Sequence, residues 1–266
     1  MVESMKDSVK KLFQVYGEIG FFVRANLVLV WGVAMVVGWG LSSNKALPYP
    51  QEVVQAIYEM WAKYRLLSDI GITLKLNVVG LAYAAIISLC ISYLSVIPFF
   101  EPLNRFVQWL RYIPIIGFNL VFLTLFAIGW SMKVAMLTTG MSFFLVTSMT
   151  AVIVEIPRMK YELAKVLGYS DWHVFYTVVV RPTLPQMIDA IAHNAAIGWV
   201  MITSIETFNR TEGGLGSQIY AHSATNNLAR VYGCLFIIGV IAVVEDWIFG
   251  VLKRTFFPYS TLAERG

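Results

Sequence analysis

Charge is scarce in this chain. Asp, Glu, Lys and Arg make up 14% of its 266 residues, against about 25% in soluble domains. That is too little to clothe a water-facing surface. Cysteine is scarcer still: Cys90 and Cys234 are the only two, each inside an apolar run, and they read as small apolar residues rather than a disulfide. The three histidines, His173, His193 and His222, fall in different layers of the chain, so no metal cluster is expected. No G-x-x-x-x-G-K-[ST] loop is present, which excludes nucleotide hydrolysis by that route. There is no H-E-x-x-H and no Ser-His-Asp set in register, which argues against an intramembrane enzyme. What remains is a pathway or a scaffold.

Hydrocarbon is plentiful: 58% of the residues are hydrophobic and the mean hydropathy is +0.68. The uncharged runs 25–44, 76–100, 112–132 and 134–154 hold 20, 25, 21 and 21 residues. About 20 such residues cross a hydrocarbon layer as a helix, because lipid cannot satisfy open backbone groups. Two further runs carry polar residues but keep long apolar stretches. One, 187–206, holds Asp189, His193, Asn194 and Glu206; the other, 231–252, holds Glu245 and Asp246. The expected fold is therefore all-α, a polytopic membrane protein of six helices near 25–43, 72–97, 113–130, 133–154, 187–206 and 229–252. A polar segment (1–24) precedes this domain (25–254), and a tail (255–266) follows it. The long polar lead and the absence of a small-residue cleavage site do not fit a cleaved signal peptide.

Lys and Arg orient the bundle. With the N-terminus inside, Lys6, Lys10, Lys11, Arg24, Arg105, Arg111, Arg158, Lys160, Lys165, Arg181, Lys253, Arg254 and Arg265 face the cytosol. Lys45, Lys63, Arg65, Lys133 and Arg210 face outward. Both termini are thus expected in the cytosol. This pattern accounts for the net charge of +4 without a nucleic-acid partner. In the outer loop 44–71, apolar spacing at Val53, Val54, Ile57, Trp61 and Tyr64 predicts a short interfacial helix. The segment 99–111 predicts another at the inner face.

The inner loop 155–185 interrupts the hydrocarbon with "RMKYELAKVLGYSDWHVFYTVVVRPTLP". Good helix formers at 158–167 follow Pro157, which suits a helix start. Gly168 suits its C-terminal stop, and Ser170 and Asp171 suit the cap of a second helix over 172–180. Glu162 can pair with Arg158 or Lys165 while Leu163 and Ala164 face a partner. Pro182 and Pro185 are expected to turn the chain back into the membrane.

Glu162-Leu163-Ala164, Gly168, Val178-Val179 and Pro182-Thr183-Leu184-Pro185 together resemble the E-A-A-x(3)-G-x(9)-I-x-L-P motif of permease subunits in binding-protein-dependent ABC importers. Leu163 stands in place of an alanine, and Arg181 in place of a leucine. The likeness continues through "LPYPQEV" (47–53), "TLKLNVVGLAYA" (73–84), "GWVMITSIETFNRTEGGLG" (198–216) and "VVEDWIFGVLKR". It includes "LRYIPIIGFNLVFLTLFAIG" (110–129), where Ala127 takes a glycine's place. It covers roughly 25–258 and is most similar to the nitrate/sulfonate/taurine branch. The resemblance implies a type I ABC importer permease fold in a bacterial-type cytoplasmic membrane. The partners it implies are a second permease copy, ATPase subunits that bind ATP and Mg, and an extracytoplasmic substrate-binding protein. No cofactor is implied for this chain itself. Glu162, Leu163, Ala164, Lys165, Gly168, Pro182 and Pro185 would form the ATPase-coupling element. The solute would be a small anion such as a sulfonate, taurine, nitrate or bicarbonate. The rival class, an ion-coupled secondary carrier, would predict an inverted internal repeat, and none is found.

Polar residues at membrane depth either line a path or bond between helices. Both readings stand for Ser142, Thr147, Ser148, His193 and Asn194. Glu206 reads as an outer gate or docking residue, or as a carboxylate reaching the interface. Gly214 and Gly216, with Gly213, permit a tight outer turn where a binding protein could dock, or a flexible loop.

Overall fold

The computed structural model describes residues 20–42, 47–63 and 65–258. Most of the polar lead and of the tail lies outside the described residues, as do Lys6, Lys10, Lys11, Lys45, Tyr64 and Arg265 of the readings above.

Helices α1 (Phe21–Gly40) and α2 (Pro50–Lys63) open the described chain. None of the apolar window of α1 is buried. It is tied to the body near its end, where Trp39 Nε1 donates to the Pro48 carbonyl at 2.9 Å and its ring lies 6.2 Å from that of Tyr232. The expected helix is α2, but its inward face is Val53, Ala56 and Met60, with Ile57 half-buried, while Val54 and Trp61 of the expected stripe are exposed.

The core is the pair α3 (Leu66–Leu94) and α6 (Trp130–Val154). Leu76, Leu81 and Ala84 of α3 join Leu137, Met141 and Leu145 of α6 in one buried cluster. A Cβ at Gly80 would overlap the Leu137 side chain, so a small residue sets how closely the two helices approach. Hydroxyls fasten the seam: Ser88 donates to the Ser142 carbonyl at 3.3 Å and Ser92 to the Val146 carbonyl at 3.4 Å.

Two expected elements form differently. The run 113–130 is not one straight span. Helix α4 (Glu101–Leu110) is followed by a 3₁₀ turn, Ile115–Phe118, and α5 (Asn119–Phe126), with a 92° bend between α4 and Ile115–Phe126. Pro114 has no N–H to donate and is extended at φ −68°, ψ 104°, and Ala127 at φ 56° ends α5. The helical part of the run is therefore only about 20 Å long. The second difference is at Pro182 and Pro185, which do not turn the chain. After α7 (Arg158–Val166) and α8 (Asp171–Val174), a wide π-type turn, Phe175–Val180, leads straight into α9 (Arg181–Phe208), one helix over Asp171–Phe208. Pro182 is the second residue of α9 and Pro185 lies further inside it, so both fall within the continuous helix. The widened turn absorbs the lost bonds, and Thr183 Oγ1 donates to the Val179 carbonyl at 2.7 Å. The reversal falls instead before Asp171, where this continuous helix begins.

Helices α10 (Leu215–Ala224) and α11 (Leu228–Phe256) close the fold. Five of the described helices are long and apolar enough to cross a membrane, or six spans if the bent pair counts as one.

Candidate functional site

At one end of the bundle, α7 packs on the body through one face, at Tyr161 and Ala164. Gly168 adopts φ 83°. Its N–H reaches the Lys165 carbonyl at 2.9 Å, while the Tyr169 N–H reaches that of Ala164 at 3.2 Å. This pair of bonds is the glycine-terminated C-cap that the sequence predicted. Ala164 is buried against the body at 5% exposure, whereas Leu163 is exposed with Met159, Val166 and Leu167. Ala164 therefore does not face a partner; the helix turns it about 100° away from Leu163. Glu162 is exposed and, among the described residues, makes no ion pair, because Lys165 pairs with Asp171 at 3.3 Å. Ser170 is the N-cap of α8 without a side-chain bond. Tyr161 packs against the core, and burial pushes its hydroxyl pKa up. Pro182 and Pro185 belong to α9, apart from this turn.

At the opposite end, two acids from different helices hold the start of α10. Asp69 of α3 accepts the Gly214 N–H at 2.9 Å and the Gln218 amide at 2.8 Å. Glu206 of α9 accepts the Gly216 N–H at 2.8 Å and, through both oxygens, the Thr73 hydroxyl at 2.9 and 3.1 Å. Thr73 in turn accepts the Leu215 N–H at 2.9 Å. Backbone donors at a helix N-terminus favour negative charge, and here the chain supplies it from within. A Cβ on Gly213 would strike Asp69 and one on Gly214 would strike Glu206, while one on Gly216 would meet the Thr203 carbonyl. The glycines of "EGGLG" are thus required by close approach rather than by looseness. Glu206 is 0% exposed, so it neither reaches an interface nor presents itself to a partner.

Lys133 changes most. Placed in an outer loop by sequence, it is 0% exposed. Its Nζ donates to the Gly213 carbonyl at 3.1 Å and lies 4.0 Å from Glu212. Asp69, Thr73 and Lys133 escaped sequence reading. The available signal was an ionisable residue flush with the start of an apolar helix, but its partner lies 80 positions away.

The five path candidates separate. Ser142 is buried and donates to the Thr138 carbonyl at 2.7 Å, in the α3–α6 seam. Asn194 donates to Ser148 Oγ at 2.9 Å and to the Ala190 carbonyl at 2.7 Å, joining α6 to α9. Thr147 is half-buried and bonds the Phe143 carbonyl at 3.0 Å. His193 faces outward, its Nδ1 2.8 Å from the Asp189 carbonyl. A further junction was not anticipated. Glu245 of α11 accepts from Asn77 at 2.9 and 2.8 Å and from Trp199 Nε1 at 2.6 Å, beside an apolar cavity of about 560 Å³ between α3, α9 and α11.

Residues 70–257 match the family model described as binding-protein-dependent transport system inner membrane component. A Bacillus subtilis protein named as an aliphatic sulfonates transport permease is 22% identical over 248 residues, covering 92% of this chain and 88% of its own length. Its Escherichia coli namesake is 24% identical over 195 residues, 73% of each chain. A Methanocaldococcus jannaschii protein named as an ABC transporter permease is 23% identical over 143 residues, and the chain spans about half (54%) of that relative's length. Among solved structures, a chain of the inward-facing MetNI methionine ABC transporter superposes with a TM-score of 0.63 at 17% identity, covering 74% of this chain and 97% of that one. A chain of an amino acid ABC transporter gives a TM-score of 0.52 at 20% identity, covering 72% and 92%.

Proposed function

This chain belongs to the family of binding-protein-dependent transport system inner membrane components, and on that premise we propose that it is the membrane-spanning permease of an ABC importer for a small anion. The observation that carries the reading is the exposed apolar surface of α7, Met159, Leu163, Val166 and Leu167, on a short helix held rigid by its Gly168 cap. An apolar face outside the spans has no lipid to cover it and fits a groove on another protein. That protein would be the ATPase subunit, which binds ATP and Mg. Glu162, Leu163, Lys165 and Gly168 would meet it, with Ala164 holding α7 to the body. Pro182 and Pro185 would stiffen the helix that carries the motion into the membrane.

The positive-inside bias puts α7 and both termini in the cytosol. The Asp69–Glu206 cluster then lies on the outer side. Glu206, Gly214 and Gly216 would fix the loop 209–214, whose exposed Arg210, Thr211 and Glu212 would meet a substrate-binding protein. Six spans enclose no pore, so the path would lie between two copies, along the exposed faces of α9 and α6 that carry His193 and Thr147. Ser142, Ser148 and Asn194 would hold those helices together. The sulfonate-named relatives support an anionic solute. The test is uptake of labelled ethanesulfonate by cells making this chain with an ATPase and a binding protein. Uptake should require all three and ATP. Uptake by this chain alone on an ion gradient would overturn the proposal in favour of a secondary carrier.

A further inference from the structure

The outward surfaces of the long helices differ in chemistry. On α1, α3 and α11 they are hydrocarbon and aromatic, as at Val28, Leu29, Ile86, Val243 and Trp247, which suits lipid. On α9 the outward stripe runs Gln186, Asp189, His193, Ala196, Val200, Ser204 and Thr207, exposed or half-exposed at successive turns. Polar groups repeated along one face at membrane depth belong to a water-filled space.

Neither acid of α9 offers a free charge to that space. Asp189 pairs with Lys253 Nζ of α11 at 2.9 Å, and Glu206 is 0% exposed and bonded to Thr73 and Gly216. His193 is left as the stripe's ionisable group, about 18 Å from Arg181 and about 22 Å from Phe208 along the helix. Its Nδ1 lies 2.8 Å from the Asp189 carbonyl, an oxygen that only accepts, so Nδ1 carries a proton. In the neutral ring Nε2 then presents a lone pair, which repels an anion. A second proton turns Nε2 into a donor and makes the ring a cation.

We infer that protonated His193 is the residue through which α9 contacts the anionic solute near the middle of the path. The charged groups around it are Asp189 one turn away and Lys253, which neutralises Asp189. Glu245 of α11 is committed to Asn77 and Trp199. From α6, Ser148 meets α9 without charge through Asn194 at 2.9 Å, and from α3 Tyr93 meets α9 at Thr183, 3.1 Å away. The inference rests on the permease reading above and adds the charge state that selects the solute.

The experiment measures ethanesulfonate uptake by the whole assembly from about pH 5.5 to about pH 8.5, for the native chain, His193→Gln and His193→Arg. Binding-protein-stimulated ATP hydrolysis is followed in parallel to verify assembly. Native uptake should exceed that of His193→Gln by about tenfold or more at the acid end, with the ratio falling toward one at the alkaline end. His193→Arg, a permanent cation, should retain uptake, and its ratio to His193→Gln should not change with pH. Equal uptake by the native chain and His193→Gln at every pH would overturn the inference while leaving the permease reading intact. A pH-independent loss shared by both variants would mean a structural role and would also overturn it. Failure of the native assembly to take up the sulfonate would instead sink the anion reading, and this inference with it.

Discussion

Glu206 and Gly216 meet where α9 ends and α10 begins, the carboxylate accepting the glycine N–H at 2.8 Å. One helix's acid is thereby the N-terminal anchor of the next. With Asp69 on Gly214, the loop between α9 and α10 is tied to two membrane helices at once. A movement of α9 would then carry this loop with it, giving the two ends of the molecule a rigid link.

Glu206→Ala should lower stability by about 1–3 kcal/mol, since it strands the Thr73 hydroxyl and the Gly216 N–H in a buried site. Glu206→Gln keeps an acceptor and should cost less. Gly216→Ala should also destabilise, because its Cβ would run into the Thr203 backbone and the Glu206 Cβ. Thermal unfolding in detergent checks all three; equal melting temperatures would show that the anchor does not hold the fold.

Lys133→Met should lower stability by about 1.5–3 kcal/mol, because it removes the charged donor from which the Gly213 carbonyl accepts. Lys133 lies 4.0 Å from Glu212 and also bonds the Gly213 carbonyl. Folded yield after membrane extraction, measured beside that of Lys75→Met at an exposed lysine, separates a buried counter-ion from a generic charge loss.

What the sequence disclosed followed from local rules. Runs of apolar residues marked the long helices, and Pro157 with Gly168 bounded α7 to within two residues. What it hid depends on contacts between distant positions. Asp69 and Gly214 are 145 residues apart, and no periodicity reports such a pair. Lys133 was placed in a loop because a lone cation between two apolar runs looks like a boundary; it is the counter-ion of a cluster assembled from three helices. The prolines misled for the opposite reason: a turn was inferred from two missing donors, and a widened helical turn accommodated them.

Ala127→Gly should stabilise the chain by about 1 kcal/mol or more. Ala127 sits at φ 56°, ψ 170°, a region essentially reserved for glycine, where a side chain costs about 1–3 kcal/mol. The permease family resembled here carries glycine at this place, so the substitution restores the residue the backbone asks for. A rise in melting temperature without change in uptake is the expected result; a fall would mean that the alanine methyl packs usefully.

His222 of α10 gives stability a pH dependence. Burial, and then the Arg230 guanidinium, pull its pKa below the usual imidazole value. The unfolded chain therefore takes up a proton near pH 6.5 that the folded chain resists. Stability should be full above that pH and decline as pH falls toward the lowered folded value. His222→Gln should flatten part of that decline in melting temperature between about pH 7.5 and about pH 5.5; an unchanged slope would assign it to other groups.

Gly168→Asp should abolish ATP-driven uptake while leaving membrane insertion and melting temperature nearly unchanged. Gly168 adopts φ 83°, and nothing lies within 4 Å of an added Cβ. Asp and Asn are among the residues that best tolerate such angles, so the turn itself should survive either substitution. What changes is the surface: a side chain, and with Asp a negative charge, would project beside the exposed Leu167 and Val166 where a partner's backbone must come close. Gly168→Asn separates bulk from charge and should leave partial uptake. Loss of uptake with normal folding would locate the defect in the contact with the ATPase, and co-purification of that subunit with each variant would show whether docking or the transmitted movement has failed. Undiminished uptake in Gly168→Asp would mean that α7 does not carry the coupling.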